Sequence, residues 1–128
     1  MVTAQIASAW RLSVERGPDW LFVRLNPALE GEVDEFSLAE KIWTVLEQSF
    51  TYRVVLELDQ LELMQSHFLA QLVMLSKRVH SHGGLLRLSG LSPANRDVLH
   101  VCRLDGCLPN YENRGAAVKG EQRPMQPR

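Results

Sequence analysis

No apolar run in this 128-residue chain approaches the roughly 20 residues that a membrane-spanning helix needs. The segment from Met1 to Ala7 lacks the charged start and long apolar stretch of a secretory leader, so a cytoplasmic setting is expected. Cysteine is scarce: Cys102 and Cys107 are the only two, with no second pair to complete a zinc site. They are expected to be unpaired, packing as small hydrophobes in a reducing compartment. Charge of one sign is also lacking. The formal net charge is −1 with both signs interspersed, and no basic face points to nucleic acid or an anionic membrane. Glycine-rich phosphate loops are absent, since Gly83-Gly84 and Gly90 have the wrong spacing for a nucleotide motif. There is no internal repeat and no low-complexity segment.

What remains is one domain's worth of alternating elements, and a 45% hydrophobic content is enough for one packed core. Trp10, Leu12 and Val14 alternate with Arg11, Ser13 and Glu15, the period of a half-buried strand. The turn Arg16-Gly17-Pro18-Asp19 leads to a nearly apolar strand from Trp20 to Leu25, making a hairpin that Asn26-Pro27 is expected to end. An acidic loop follows, with Glu30, Glu32, Asp34 and Glu35. Ser37 and Glu40 have the spacing of a capping box, opening a helix whose stripe is Leu38, Ile42, Val45 and Leu46.

A strand is expected over Arg53 to Leu58, then a long helix from Gln65 with Phe68, Leu69, Leu72, Val73, Leu75, Ser76 and Val79 facing inward. Gln71, Lys77 and Arg78 fall outside that face. Gly83-Gly84 stops the helix. A short strand over Leu85 to Leu88 precedes Ser92-Pro93, an N-cap followed by proline at the first helical position. That helix is expected to run to about Arg103, with a last strand near Leu108 and a last turn or two from Asn113 to Val118. Residues 119–128 are polar and proline-bearing and are expected to form a disordered tail to a domain over residues 1–118. Strands alternating with helices predict an α/β fold with a mainly parallel sheet, which the opening hairpin makes mixed.

No catalytic constellation emerges. His80 and His82 are two apart, so on a helix they face away from each other and do not easily share one metal. Ser66 beside His67 is an adjacent nucleophile and base without a third orienting group. The four acidic loop residues read as a solvated face. No metal, no cofactor and no enzymatic activity are expected.

Three segments carry a family resemblance. They are the strand Arg53 to Leu58, the helix from Leu69 to Val79 with its Gly83-Gly84 stop and the strand after it, and Gly90-Leu91-Ser92-Pro93 continuing through Leu104-Asp105 to Tyr111. In order and spacing they resemble the STAS domain, named for sulphate transporters and anti-sigma factor antagonists, over about Trp10 to Val118. The family's hallmark Asp-Ser-Ser-Gly-Leu falls on Gln65, Ser66, His67, Phe68 and Leu69. Only Ser66 and Leu69 keep the motif. In many members a partner anti-sigma kinase phosphorylates the second serine, and that position here is His67.

The resemblance implies a single STAS-like domain and a non-catalytic protein-interaction module in a signalling or regulatory complex. The implied partner is a protein, of the anti-sigma factor or serine-kinase kind. A helix start at the carboxyl end of a central parallel strand is where open α/β sheets place their sites. The expected contact surface is therefore Met64, Gln65, Ser66, His67 and Ala70, continued along the helix by Met74 and Lys77. The standard phosphoserine switch is expected to be missing. Ser66 is an alternative phosphoacceptor, unless it serves as the helix cap. A structural homodimer formed through the hairpin is a further alternative.

Overall fold

The computed structural model describes residues 9–28, 33–34 and 37–120. The alternating segment forms β1 (Ala9–Arg16), which pairs antiparallel with β2 (Leu21–Ala28) in one continuous register from Arg16 opposite Leu21 to Ala9 opposite Ala28. The Gly17 N–H closes the hairpin on the Trp20 carbonyl at 2.8 Å. Asn26-Pro27 does not break β2. Pairing to the next strand on the far side stops at Arg24, so residues 25–28 are paired on one side only, where proline's missing donor is tolerated. Asp34, expected in a loop, forms the two-residue β3 (Val33–Asp34) against Ala9 and Trp10. Glu30, Glu32 and Glu35 lie outside the described residues.

The helix α1 (Leu38–Gln48) buries Leu38, Ala39, Ile42, Trp43 and Leu46. Its expected capping box does not form, because the Ser37 side chain makes no cap bond. The Ser37 N–H donates instead to Asp34 Oδ1 at 3.2 Å. Beyond it come β4 (Arg53–Glu57), α2 (Ser66–Ser81), β5 (Leu85–Ser89), α3 (Pro93–Val101), β6 (Asn110–Tyr111) and α4 (Arg114–Lys119). Lys119 thus ends a helix rather than opening a tail, and residues 121–128 lie outside the described residues. Helix α3 stops two residues short of Arg103. The last strand begins at Asn110, with Leu108 buried in the core before it.

The six strands are ordered β3-β1-β2-β4-β5-β6, with β2, β4, β5 and β6 parallel. Alternation sorts the sheet residues onto two faces. Leu21, Val23, Leu25, Val54, Leu56, Leu86 and Leu88 pack against α1, α2 and α3 in the main core. Trp20, Phe22, Val55 and Tyr111 face the other way and pack with Ala117 of α4. All three tryptophans are buried. Leu56, Leu69 and Leu72 are buried where the central strand meets α2, while Val73, expected with them, is half-buried. Cys107 packs partly against the core, but Cys102 is exposed rather than packed.

Candidate functional site

The end of β4 and the start of α2 are joined by a loop that its own apolar residues hold down. Leu61 and Met64 are buried in the main core, Met64 only 4% exposed. Met64, expected on the contact surface, is thus placed in the core instead. Methionine fills irregular core gaps as well as adaptable surfaces, and here the core claims it. A fully buried Asn95 from α3 clamps the loop backbone. Its Oδ1 accepts the Met64 N–H at 2.8 Å, and its Nδ2 donates to the carbonyls of Leu61 at 3.3 Å and Glu62 at 3.4 Å. Asn95 is positioned by the α3 cap, where its N–H donates to Ser92 Oγ at 3.2 Å. Sequence reasoning missed Asn95, because its partners lie more than 30 positions away.

The helix opens at Ser66, with Gln65 as its extended N-cap and no side-chain cap bond. Ser66 is the first helical residue and is exposed, so it does not cap the helix. Gln65 and His67 are half-buried. Phe68, at the motif's glycine position, is buried with its ring 5.4 Å from that of Trp10. A core anchor thus stands where the family places its smallest residue.

Ser66, Ala70, Met74 and Lys77 are all exposed. At about 100° per residue they fall within an arc of about 80°, opposite the buried stripe of Phe68, Leu72 and Val79. Leu63, which sequence reasoning missed, is 56% exposed just before the stripe, and Met74 is 56% exposed within it. Large apolar side chains this exposed mark contact surfaces when they cluster. Met74 also borders a shallow groove of about 320 Å³ between the start of α1 and α2, lined with it by Ala39, Glu40, Gln71 and Arg78. The groove walls are fixed. Arg78 donates to Glu40 at 3.0 Å and lies 4.5 Å over the Trp43 ring.

A charge network ties the same strand end to the other face of the sheet. Arg24 Nη1 donates to both Asp59 oxygens, at 2.8 and 2.6 Å. Arg114 binds the buried Glu57 through two parallel bonds of 2.8 and 2.9 Å and reaches Glu15 at 3.1 Å. Burial pushes the Asp59 carboxyl up, but hydrogen bonds from Arg24, its own backbone and Gln60 outweigh this and hold it below the usual carboxylate range. The Glu57 bonds push Arg114 up further, against the opposing effect of burial. The network fastens α4 to the sheet. Among the described residues, no three His, Cys, Asp or Glu side chains are grouped to hold a metal ion, and no helix is long and apolar enough to cross a membrane.

A mixed sheet with three helices on one face, and a helix opening at the carboxyl end of its central strand, is the architecture expected of the STAS class. The family model described as Mlab, STAS domain, matches residues 24–110, more than half of the chain, and the protein belongs to that family. Solved structures share the fold. A crystal structure of an anti-sigma factor antagonist from Mycobacterium paratuberculosis superimposes with a TM-score of 0.70 at 22% identity, covering 91% of this chain and 97% of that one. The phosphorylated form of the Bacillus cell fate determinant SpoIIAA matches with a TM-score of 0.60 at 16% identity, over 86% and 99% of the two chains. A stressosome structure, described as a signal integration and transduction hub, matches with a TM-score of 0.69 at 17% identity, over 84% and 94%. No curated protein matches the chain by sequence.

Proposed function

We propose that this protein is a non-catalytic interaction module of the anti-sigma factor antagonist type, acting in the cytoplasm. Its partner is a protein, of the anti-sigma factor or serine-kinase kind, that docks on the stripe Ser66, Ala70, Met74 and Lys77. Gln65 and His67 flank that surface. The exposed stripe running from the helix start to the groove carries this reading. Small side chains at Ser66 and Ala70 admit close approach, Met74 supplies adaptable apolar contact, and Lys77 supplies a charge at the far end. With His67 at the usual acceptor position, recognition runs without the standard phosphoserine switch.

A second reading keeps the switch one residue earlier. Ser66 is exposed at the first position of α2, where backbone donors and the helix dipole favour a phosphate. One experiment addresses both readings. The wild type, Ser66→Asp and Met74→Glu are used as baits in native lysate, and the recovered native protein is mapped for phosphosites by mass spectrometry. A protein retained by the wild type and lost with both variants supports the stripe. Stoichiometric phosphate on Ser66 favours the second reading. Equal capture by all three baits overturns the site.

A further inference from the structure

The contact stripe leaves another feature unexplained, the open edge of β1. Strand β3 pairs only with Ala9 and Trp10, so among the described residues positions 11–16 pair with β2 alone. In an antiparallel ladder alternate residues aim their N–H and C=O groups to the same side, which leaves such groups of three of these six unpaired in the sheet. An edge of this kind templates another strand unless proline, a bulge or an inward charge blocks it. Neither proline nor a bulge blocks this one, and its helix-side charge, Arg16, is turned onto the Ser49 carbonyl at 2.8 Å. The segment Arg11-Leu12-Ser13-Val14-Glu15-Arg16 has no proline, and its register with β2 is unbroken. On its helix-facing side Val14 is 47% exposed and Leu12 half-buried. Phe50 stands 89% exposed directly after Ser49, whose carbonyl accepts from Arg16 Nη1 at 2.8 Å. It is held at a φ of 53°. An exposed aromatic residue in that conformation is a local cost with no packing return inside the monomer.

We propose that this edge pairs antiparallel with β1 of a second copy, about a two-fold axis at Val14. Chemistry and space select the register. A two-fold at Ser13 would drive Arg16 of the second copy into the place that Val33 occupies opposite Trp10. A two-fold between Ser13 and Val14 would set Arg11 against Arg16 and Leu12 against Glu15. The Val14 axis avoids both. It sets Val14 against its own copy, Leu12 against the aliphatic stem of Arg16, and Ser13 against Glu15. Arg11 then lies diagonal to Glu15 of the second copy, within reach of long side chains. No like charges oppose each other. The paired residues share faces, so Val14 and the Leu12–Arg16 pairs lie on the helix side and the Ser13–Glu15 pairs on the face that carries α4, where Glu15 also meets Arg114 at 3.1 Å. The surface is separate from the α2 stripe, so the dimer stands or falls independently of the partner reading.

The test is the mass of the full chain in solution across a concentration series, by sedimentation or light scattering. Twice 14.5 kDa is expected for the wild type at high concentration. Val14→Asp and Val14→Lys each place like charges on the axis and are expected to weaken the dimer roughly tenfold or more. Mixed in equal amounts, the two variants are expected to restore it, because opposite charges then meet across the axis. Circular dichroism of each variant is expected to match the wild type, because position 14 is exposed. A monomeric wild type at every concentration overturns the proposal. So does a dimer indifferent to both variants, or a mixture that fails to recover, since either moves the axis away from Val14.

Discussion

Gln71 Oε1, on α2, accepts the Ala39 N–H of α1 at 2.8 Å. The helix that carries the exposed stripe therefore caps its neighbour, and a side chain 32 positions away does what Ser37 was expected to do locally. The bond also fixes how α1 and α2 meet at the groove beside Met74.

Removing that cap has a definite cost. Gln71→Ala is expected to lose about 0.5–2 kcal/mol, the range for a lost N-cap acceptor. Gln71→Glu keeps an acceptor and adds a negative charge at a helix start, so it is expected to recover most of the loss. Chemical-denaturation midpoints of the three proteins check this. A silent Gln71→Ala would mean that water satisfies the Ala39 donor equally well.

Asn95→Leu conserves volume but removes the acceptor that the buried Met64 N–H donates to. Stranding that group costs about 1–3 kcal/mol. The loop before α2 would also lose its two carbonyl clamps, so affinity for a partner on the stripe is expected to fall with stability. Proteolysis between residues 59 and 65 under native conditions reads out the loosened loop directly.

Local chemistry was legible in the sequence and long-range chemistry was not. The alternation from Trp10 to Glu15 and the Ser92-Pro93 start became β1 and α3 because period and cap act within a few residues. Ser37 and Glu40 had the right spacing, yet Asp34 and Gln71 supply the bonds. Met64 and Met74 look alike in sequence. One is core and the other surface because Asn95 draws the loop inward. Ser66 looked like a cap, but the helix begins on it. Asn95 and Gln71 gave no signal, since a polar residue on a helix reads as solvent-facing until its distant partner is known.

The two glycines after α2 are expected to respond differently to alanine. Gly83 ends the helix at a φ of 74° with open space around it, so Gly83→Ala costs only the left-handed conformation, about 1 kcal/mol. At Gly84 a Cβ would collide with the Tyr52 carbonyl oxygen, which accepts the Leu85 N–H at 2.9 Å to start β5 beside β4. Gly84→Ala must move one strand or break that bond, and is expected to cost clearly more. Thermal denaturation of the pair gives the order, and equal losses would contradict the close approach.

The Asp59–Arg24 pair sets a pH dependence whose direction follows from its geometry. Arg24 holds the folded Asp59 carboxyl below its unfolded value of about 3.9. Above that value Asp59 is ionised in both states, and the pair's full contribution to stability is present. As pH falls below it, the unfolded chain takes up the proton first, and the contribution is lost through the folded pKa. Both side chains are more than a third exposed, so solvent screening limits the pair to about 1 kcal/mol or less. Asp59→Asn keeps the shape and removes the charge. It is expected to be less stable than the wild type by a constant margin from pH 7 to 5, and the margin is expected to close on acidification below about pH 4. Urea denaturation of both proteins across that range measures it. A margin that persists unchanged at the acid end would show that the loss does not come from the charge of Asp59.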